Sequence, residues 1–118
     1  MTPSVPPRSP ETYRRLVVIL PERLGDSLFV TPAIALLKRA LPEATIDAIA
    51  LSSLSADLLR HNPALGDVYT CPSDADLARI AATHDLFVNL HPHAESRRVG
   101  TVLGIDTLMT GHIPGVTH

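Results

Sequence analysis

The chain has 118 residues, 45% of them hydrophobic, which suits one domain with a core of its own. Ten basic residues against twelve acidic ones exclude a general nucleic-acid binder, which is normally basic. One cysteine excludes an internal disulfide and a cysteine-based zinc site, and 3% aromatic content without tryptophan leaves no platform for stacking bases.

The first thirteen residues are dense in proline, which removes backbone donors and fixes φ, so residues 1–13 are expected to form a flexible, extended arm. From residue 14 short apolar runs alternate with longer helical segments. That alternation marks βα units and a parallel sheet over residues 14–110. The first strand is expected over residues 16–20, which are rich in β-branched side chains. The helix after it carries Val30, Ile34, Leu37 and Leu41 at helical spacing, with Lys38 and Arg39 in the last turn and Pro42 as its stop. Pro32 allows two starts. Either Thr31 caps a helix that has Pro32 at its first position, or the helix begins near Asp26 and kinks at the proline. The apolar Leu28, Phe29 and Val30 favour the second.

A second strand is expected over 46–51, then a short helix over 55–61 stopped by Asn62-Pro63, then a third strand over 67–71. Ser73 with Asp76 forms a capping-box pattern that opens a helix to residue 83. A fourth strand over 85–90 leads to a helix over 95–103, ended by Gly104, and a last strand covers 107–109. The tail, 111–118, has two Gly, one Pro and no periodicity, and reads as coil. No run of ~18 uncharged apolar residues is present, so no transmembrane segment is expected. No signal peptide opens the sequence, and a cytoplasmic location is expected.

Right-handed crossovers turn this order into a Rossmann-like, doubly wound parallel sheet of α/β class, strand order 3-2-1-4-5. Strands one and four are then neighbours, and their carboxyl ends form the switch point where such sheets bind ligands. The segments 21–26 and 91–93 converge there.

Asp26 is the candidate catalytic residue. A carboxylate in a partly closed crevice can remove a proton from an attacking hydroxyl, and an aspartate there can equally cap a helix. Gly25 beside it allows close approach of backbone to a ligand. Neither G-x-G-x-x-G nor G-x-x-x-x-G-K-[ST] occurs, so no nucleotide cofactor is expected of this domain. His91 and His93 flank a proline. Without an adjacent third ligand they predict no metal site, and they serve either as a solvated loop or as hydrogen-bonding groups for sugar hydroxyls. Arg23 and Arg97 suit an anionic ligand through their bidentate forks; ordinary solvated helix charge is the other reading for Arg97 and Arg98. His61, His84, His112 and His118 are expected at the surface or at helix ends, and Cys71 as a small core residue.

Three stretches together resemble the amino-terminal domain of the heptosyltransferases, glycosyltransferase family 9 (GT9). The first is Arg23-Leu24-Gly25-Asp26 with Thr31-Pro32, Leu37-Lys38 and Leu41-Pro42. The second is Leu58-Leu59-Arg60-His61-Asn62-Pro63 leading to Gly66-Asp67-Val68. The third is His84-Asp85-Leu86-Phe87-Val88-Asn89-Leu90, followed by Leu103-Gly104. Asn89 stands where the family commonly has Asp, and His91-Pro92-His93 replaces a Gln-Gly type of turn.

The resemblance implies half of a GT-B architecture, in which the amino-terminal domain holds the acceptor and a second domain holds the nucleotide-sugar. It implies inverting transfer of a sugar to a lipopolysaccharide-core acceptor, with Asp26 as general base and Arg23, Gly25, His91, His93 and Arg97 lining the acceptor crevice. The implied partners are a nucleotide-sugar donor, reached through a second domain, and an anionic glycolipid, met by peripheral contact at the inner face of a bacterial inner membrane. A chain of the acceptor side alone is expected to be inactive. Two alternatives are a non-enzymatic module that binds an anionic sugar, and a homodimer that covers the crevice side near Leu28 and Phe29.

Overall fold

A computed structural model describes residues 12–19, 24–89 and 93–109, without the side chains of 24–30, 58 and 109. Residues 1–11 of the arm expected over 1–13, the expected tail over 111–118, Arg23, His91 and the side chains of Asp26, Leu28 and Phe29 therefore lie outside what is described.

Nine elements alternate in chain order: β1 (Arg15–Ile19), α1 (Leu24–Ala40), β2 (Thr45–Ala50), α2 (Ser53–Leu59), β3 (Val68–Thr70), α3 (Asp74–Thr83), β4 (Leu86–Asn89), α4 (Ala94–Leu103) and β5 (Thr107–Met109). The five strands form one sheet in the order β3-β2-β1-β4-β5, and every pairing is parallel. The expected α/β fold and strand order are those observed. Boundaries differ by a residue or two, since helix and strand ends depend on contacts that a local pattern does not carry.

Both faces of the sheet are covered, as a parallel sheet requires. Alternate strand residues sort the core into two layers. Leu16, Val18, Ile46, Ala48, Leu86 and Val88 pack with Ile34 of α1 and with Ala56 and Leu59 of α2. Val17, Ile19, Ile49 and Phe87 pack with Leu77 and Ile80 of α3 and with Val99 and Leu103 of α4. Burying these side chains supplies the main drive to fold, roughly 1.5–3 kcal/mol for each large aliphatic one.

α1 runs through Pro32, so the longer of the two expected helices is the one formed. Its last turn carries Lys38 and Arg39, and the Lys38 ammonium donates to the Ala44 carbonyl at 2.7 Å. α3 has the expected capping box: the Ser73 hydroxyl accepts from the Asp76 N–H, and the Asp76 carboxylate accepts from the Ser73 N–H. α4 ends on Gly104 at φ 63°, the left-handed C-cap that glycine adopts without a Cβ penalty. Tyr13 is buried, and its hydroxyl donates to Asp106 at 3.0 Å, tying the start of the sheet to the segment before β5.

Two expectations fail. The expected arm over 1–13 does not extend to Tyr13, which belongs to the core. Cys71 is exposed, not a core residue, because the chain turns there at φ 45° and carries the side chain away from the sheet. His84 caps the end of α3, the helix-end position expected of it, and is buried there, held by a carboxylate 37 positions away in sequence. Among the described residues no helix is long and apolar enough to cross a membrane.

Candidate functional site at the carboxyl ends of β1 and β4

All five strands run the same way, so their carboxyl ends share one edge of the sheet. Ile19, the last residue of β1, pairs with Asn89, the last residue of β4. The strand order reverses at this pair. The chain leaves β1 for α1 on one face and leaves β4 for α4 on the other, so two helix amino termini flank the same point. Unpaired N–H groups and the positive dipole end make such termini favourable for anionic groups.

Gly25 and Asp26 are the second and third residues of α1. The turn expected around them is thus the first turn of the helix, and Asp26 is placed at the end of the sheet where β1 and β4 separate. His93 is the N-cap of α4, with an extended backbone at φ −151° and ψ 177°. Its N–H donates to the Ser96 hydroxyl at 2.9 Å, and Ser96 in turn donates to the His93 carbonyl at 3.0 Å. This reciprocal pair fixes the cap, and with it the entry of α4. Arg97 follows one turn later and is exposed; among the described residues its guanidinium has no ion-pair partner.

Arg98, its neighbour, is spent on structure. It binds Glu95 at 2.8 Å and reaches Asp74 of α3 at 3.2 Å. The Arg98 hydrogen bond holds the Glu95 carboxyl below its ordinary value against an opposing desolvation, and the charges of Arg98 and His93 add smaller effects in the same direction as that bond. Helix phase separates the two arginines: Arg98 faces α3, and Arg97 is left to solvent. Among the described residues no group of three or more His, Cys, Asp or Glu side chains comes together to hold a metal.

Two features escaped the sequence reading. The first is Asn89, which is fully buried with neither amide atom hydrogen-bonded among the described residues. Its signal was a polar residue closing an apolar strand. The second is the buried set Asp47, His84 and Arg15, whose signal was an aspartate inside the apolar run of β2. That set lies toward the amino ends of the strands, away from the switch point.

A cavity of about 520 Å³ also opens between β3 and α3, lined by Tyr69, Thr70, Asp76, Arg79, Ile80 and Thr83 among others. None of the expected site residues lines it. Its two charged side chains pair with each other, which leaves no free charge to recognise a ligand. The switch point is the better candidate on chemistry.

No protein-family model matches the sequence, and no curated protein does. Solved structures do match. The ADP-heptose LPS heptosyltransferase II of E. coli aligns with a TM-score of 0.67 and 21% identity, over 77% of this chain and 28% of its own. A glycosyl transferase family 9 protein of Veillonella parvula aligns with a TM-score of 0.66 and 21% identity, over 78% of this chain and 30% of its own. The fold is GT9-like. At this identity the likeness is one of fold, and the chain spans less than a third of either structure.

Proposed function

We propose that the chain forms the acceptor side of a GT9-type, GT-B glycosyltransferase. The observation that carries this reading is that the amino termini of α1 and α4 flank the β1–β4 switch point from opposite faces of the sheet, in a fold shared with two GT9 structures. Residues 14–110 together with the buried Tyr13 are the working domain, with the rest of 1–13 and 111–118 as peripheral segments.

The reaction is inverting transfer from a nucleotide-sugar to a hydroxyl of a lipopolysaccharide-core glycolipid. The Asp26 carboxylate takes the proton of the acceptor hydroxyl as its oxygen attacks the anomeric carbon. The bond from that carbon to the nucleotide diphosphate breaks, and the diphosphate leaves with the electron pair. General-base assistance of this kind contributes ~10²–10⁴-fold. Arg23 and Arg97, with the two helix amino termini, hold the anionic parts of the acceptor. Gly25 lets the backbone approach it, and His91 and His93 bond its hydroxyls. A second domain supplies the nucleotide-sugar site, so transfer needs that domain in addition to these residues. The glycolipid substrate places the work at a membrane surface on the cytoplasmic side, by peripheral contact.

The test is Asp26→Asn in an active two-domain enzyme carrying this sequence. Turnover falls by ~10²–10⁴-fold with little change in acceptor KM if Asp26 is the base. Near-normal turnover removes it from that role.

A further inference from the structure

Protein interiors rarely leave a buried polar side chain without partners, so each exception calls for a physical cause. Among the described residues the buried polar side chains are Asp47, Ser55, His84, Asn89 and Ser96. Asp47 and His84 bond each other, Ser55 bonds Ser52, and Ser96 bonds the His93 backbone. Asn89 differs: its Nδ2 and Oδ1 are both closed to solvent, and neither has a partner among the described residues.

Its position gives this exception a meaning. Asn89 is the last residue of β4 and lies opposite Ile19 at the switch point. By strand alternation it shares a face with Phe87, whose layer packs against α4. The amide is thus on the α4 side of the candidate crevice, four residues before the His93 cap.

We infer that Asn89 is a specificity-determining amide that reads two adjacent hydroxyls of a sugar ring. This rests on the acceptor-side reading above and adds the group recognised. An asparagine amide offers a donor at Nδ2 and an acceptor at Oδ1. Carboxylate and sulfate oxygens only accept, so such an anion would satisfy Nδ2 and leave Oδ1 unmet. A pair of neighbouring hydroxyls donates to one atom and accepts from the other, and satisfies both. The anionic part of the ligand then falls to the helix termini and Arg97, and the neutral ring edge to Asn89. A buried, unmet polar pair discriminates strongly, since a ligand lacking the matching groups leaves it unpaired. Because the amide is closed to solvent, the hydroxyls reach it through a local opening at the sheet's end.

The experiment is an NMR titration of the chain with mannose 6-phosphate, and in parallel with inorganic sulfate, following the side-chain NH₂ signals of Asn89. The sugar phosphate shifts those signals and sulfate, an anion that only accepts, does not at equal concentration. Asn89→Val folds with an unchanged or higher Tm, since it removes an unpaired amide, and binds mannose 6-phosphate at least tenfold more weakly. Binding by the wild-type chain with Asn89 signals unmoved overturns this inference and leaves the acceptor-side reading standing. So does full affinity in Asn89→Val, or an equal response to sulfate. A lowered Tm in Asn89→Val also overturns it, by showing that the amide is held by an internal structural partner. A wild-type chain that binds neither probe contradicts both readings.

Discussion

Nε2 of His84 lies 2.6 Å from Oδ2 of Asp47, and neither side chain touches solvent. The pair joins the end of α3 to the middle of β2. Every other contact supports it. Nδ1 of His84 is 2.8 Å from the Ile80 carbonyl, which can only accept, so Nδ1 carries a proton. The same Asp47 oxygen accepts from Arg15 Nη2 at 3.1 Å, and the other oxygen accepts from the Asp67 N–H at 2.8 Å. Removing one member of such a buried set strands the rest, at about 3–5 kcal/mol. Against a total stability of roughly 5–15 kcal/mol for a domain, that loss decides whether the chain folds. Asp47→Asn is expected to lower the urea-derived stability by that amount. A loss under about 1 kcal/mol would contradict the pair's importance.

Gly100 presses α4 onto Phe87. A Cβ there would come within 2.9 Å of Phe87 Cε2. Alanine gains about 1 kcal/mol in helix propensity over glycine, while overpacking a core costs about 1–3 kcal/mol. Phe87 is fully buried and has no room to yield, so the clash wins. Gly100→Ala should lower Tm by several degrees in a calorimetric scan. A rise in Tm would mean that Phe87 repacks freely.

The α3 cap titrates with acid. The Asp76 carboxyl sits below its ordinary value, first because the Ser73 N–H donates to it and next because Arg79 bonds it. A depressed carboxyl adds stability above its unfolded value, and that stability is lost as pH falls through the folded one. Ser73→Ala should cost about 1 kcal/mol at neutral pH. Asp76→Asn should flatten the loss of stability below pH ~4, the ordinary carboxylate value, and an unchanged acid slope in that variant would refute the assignment.

Tyr69 reports on the same buried set from the other side. Its ring meets the His84 ring edge-on, with centroids 6.1 Å apart. Burial first, then the charges of Asp47 and Asp67, push its phenol above the ordinary value of 10.0, against a smaller opposing effect of Arg15. A raised phenol contributes stability below pH 10 that is lost as pH rises through the folded value. Absorbance at 295 nm should show a late-ionising tyrosine that Tyr69→Phe removes. If the signal that Tyr69→Phe removes ionises at the ordinary value of 10.0, Tyr69 is not in the buried setting described.

Much of this was legible in sequence, and the remainder fails for identifiable reasons. Strand order followed from alternating βα units and crossover handedness, which are local and chiral rules. The Ser73–Asp76 box and the Gly104 cap are short-range chemistry and appear as written. Asp47 and His84 are far apart in sequence, and no local pattern brings them together. Cys71 reads as a small apolar residue, yet backbone direction at the end of β3 sets its exposure. At the site, sequence placed Asp26 and His93 at one end of the sheet. It could not tell which of Arg97 and Arg98 would be tied to α3, because that depends on helix phase against a neighbour.

The most direct test of the central claim, that ligands enter where β1 and β4 part, is a map of backbone amide shifts on titration with a sugar phosphate. The account predicts that the largest shifts fall on Gly25, Asp26, Asn89, His93 and Arg97. Shifts concentrated instead on Tyr69, Thr70 and Arg79, along the hollow between β3 and α3, would contradict it.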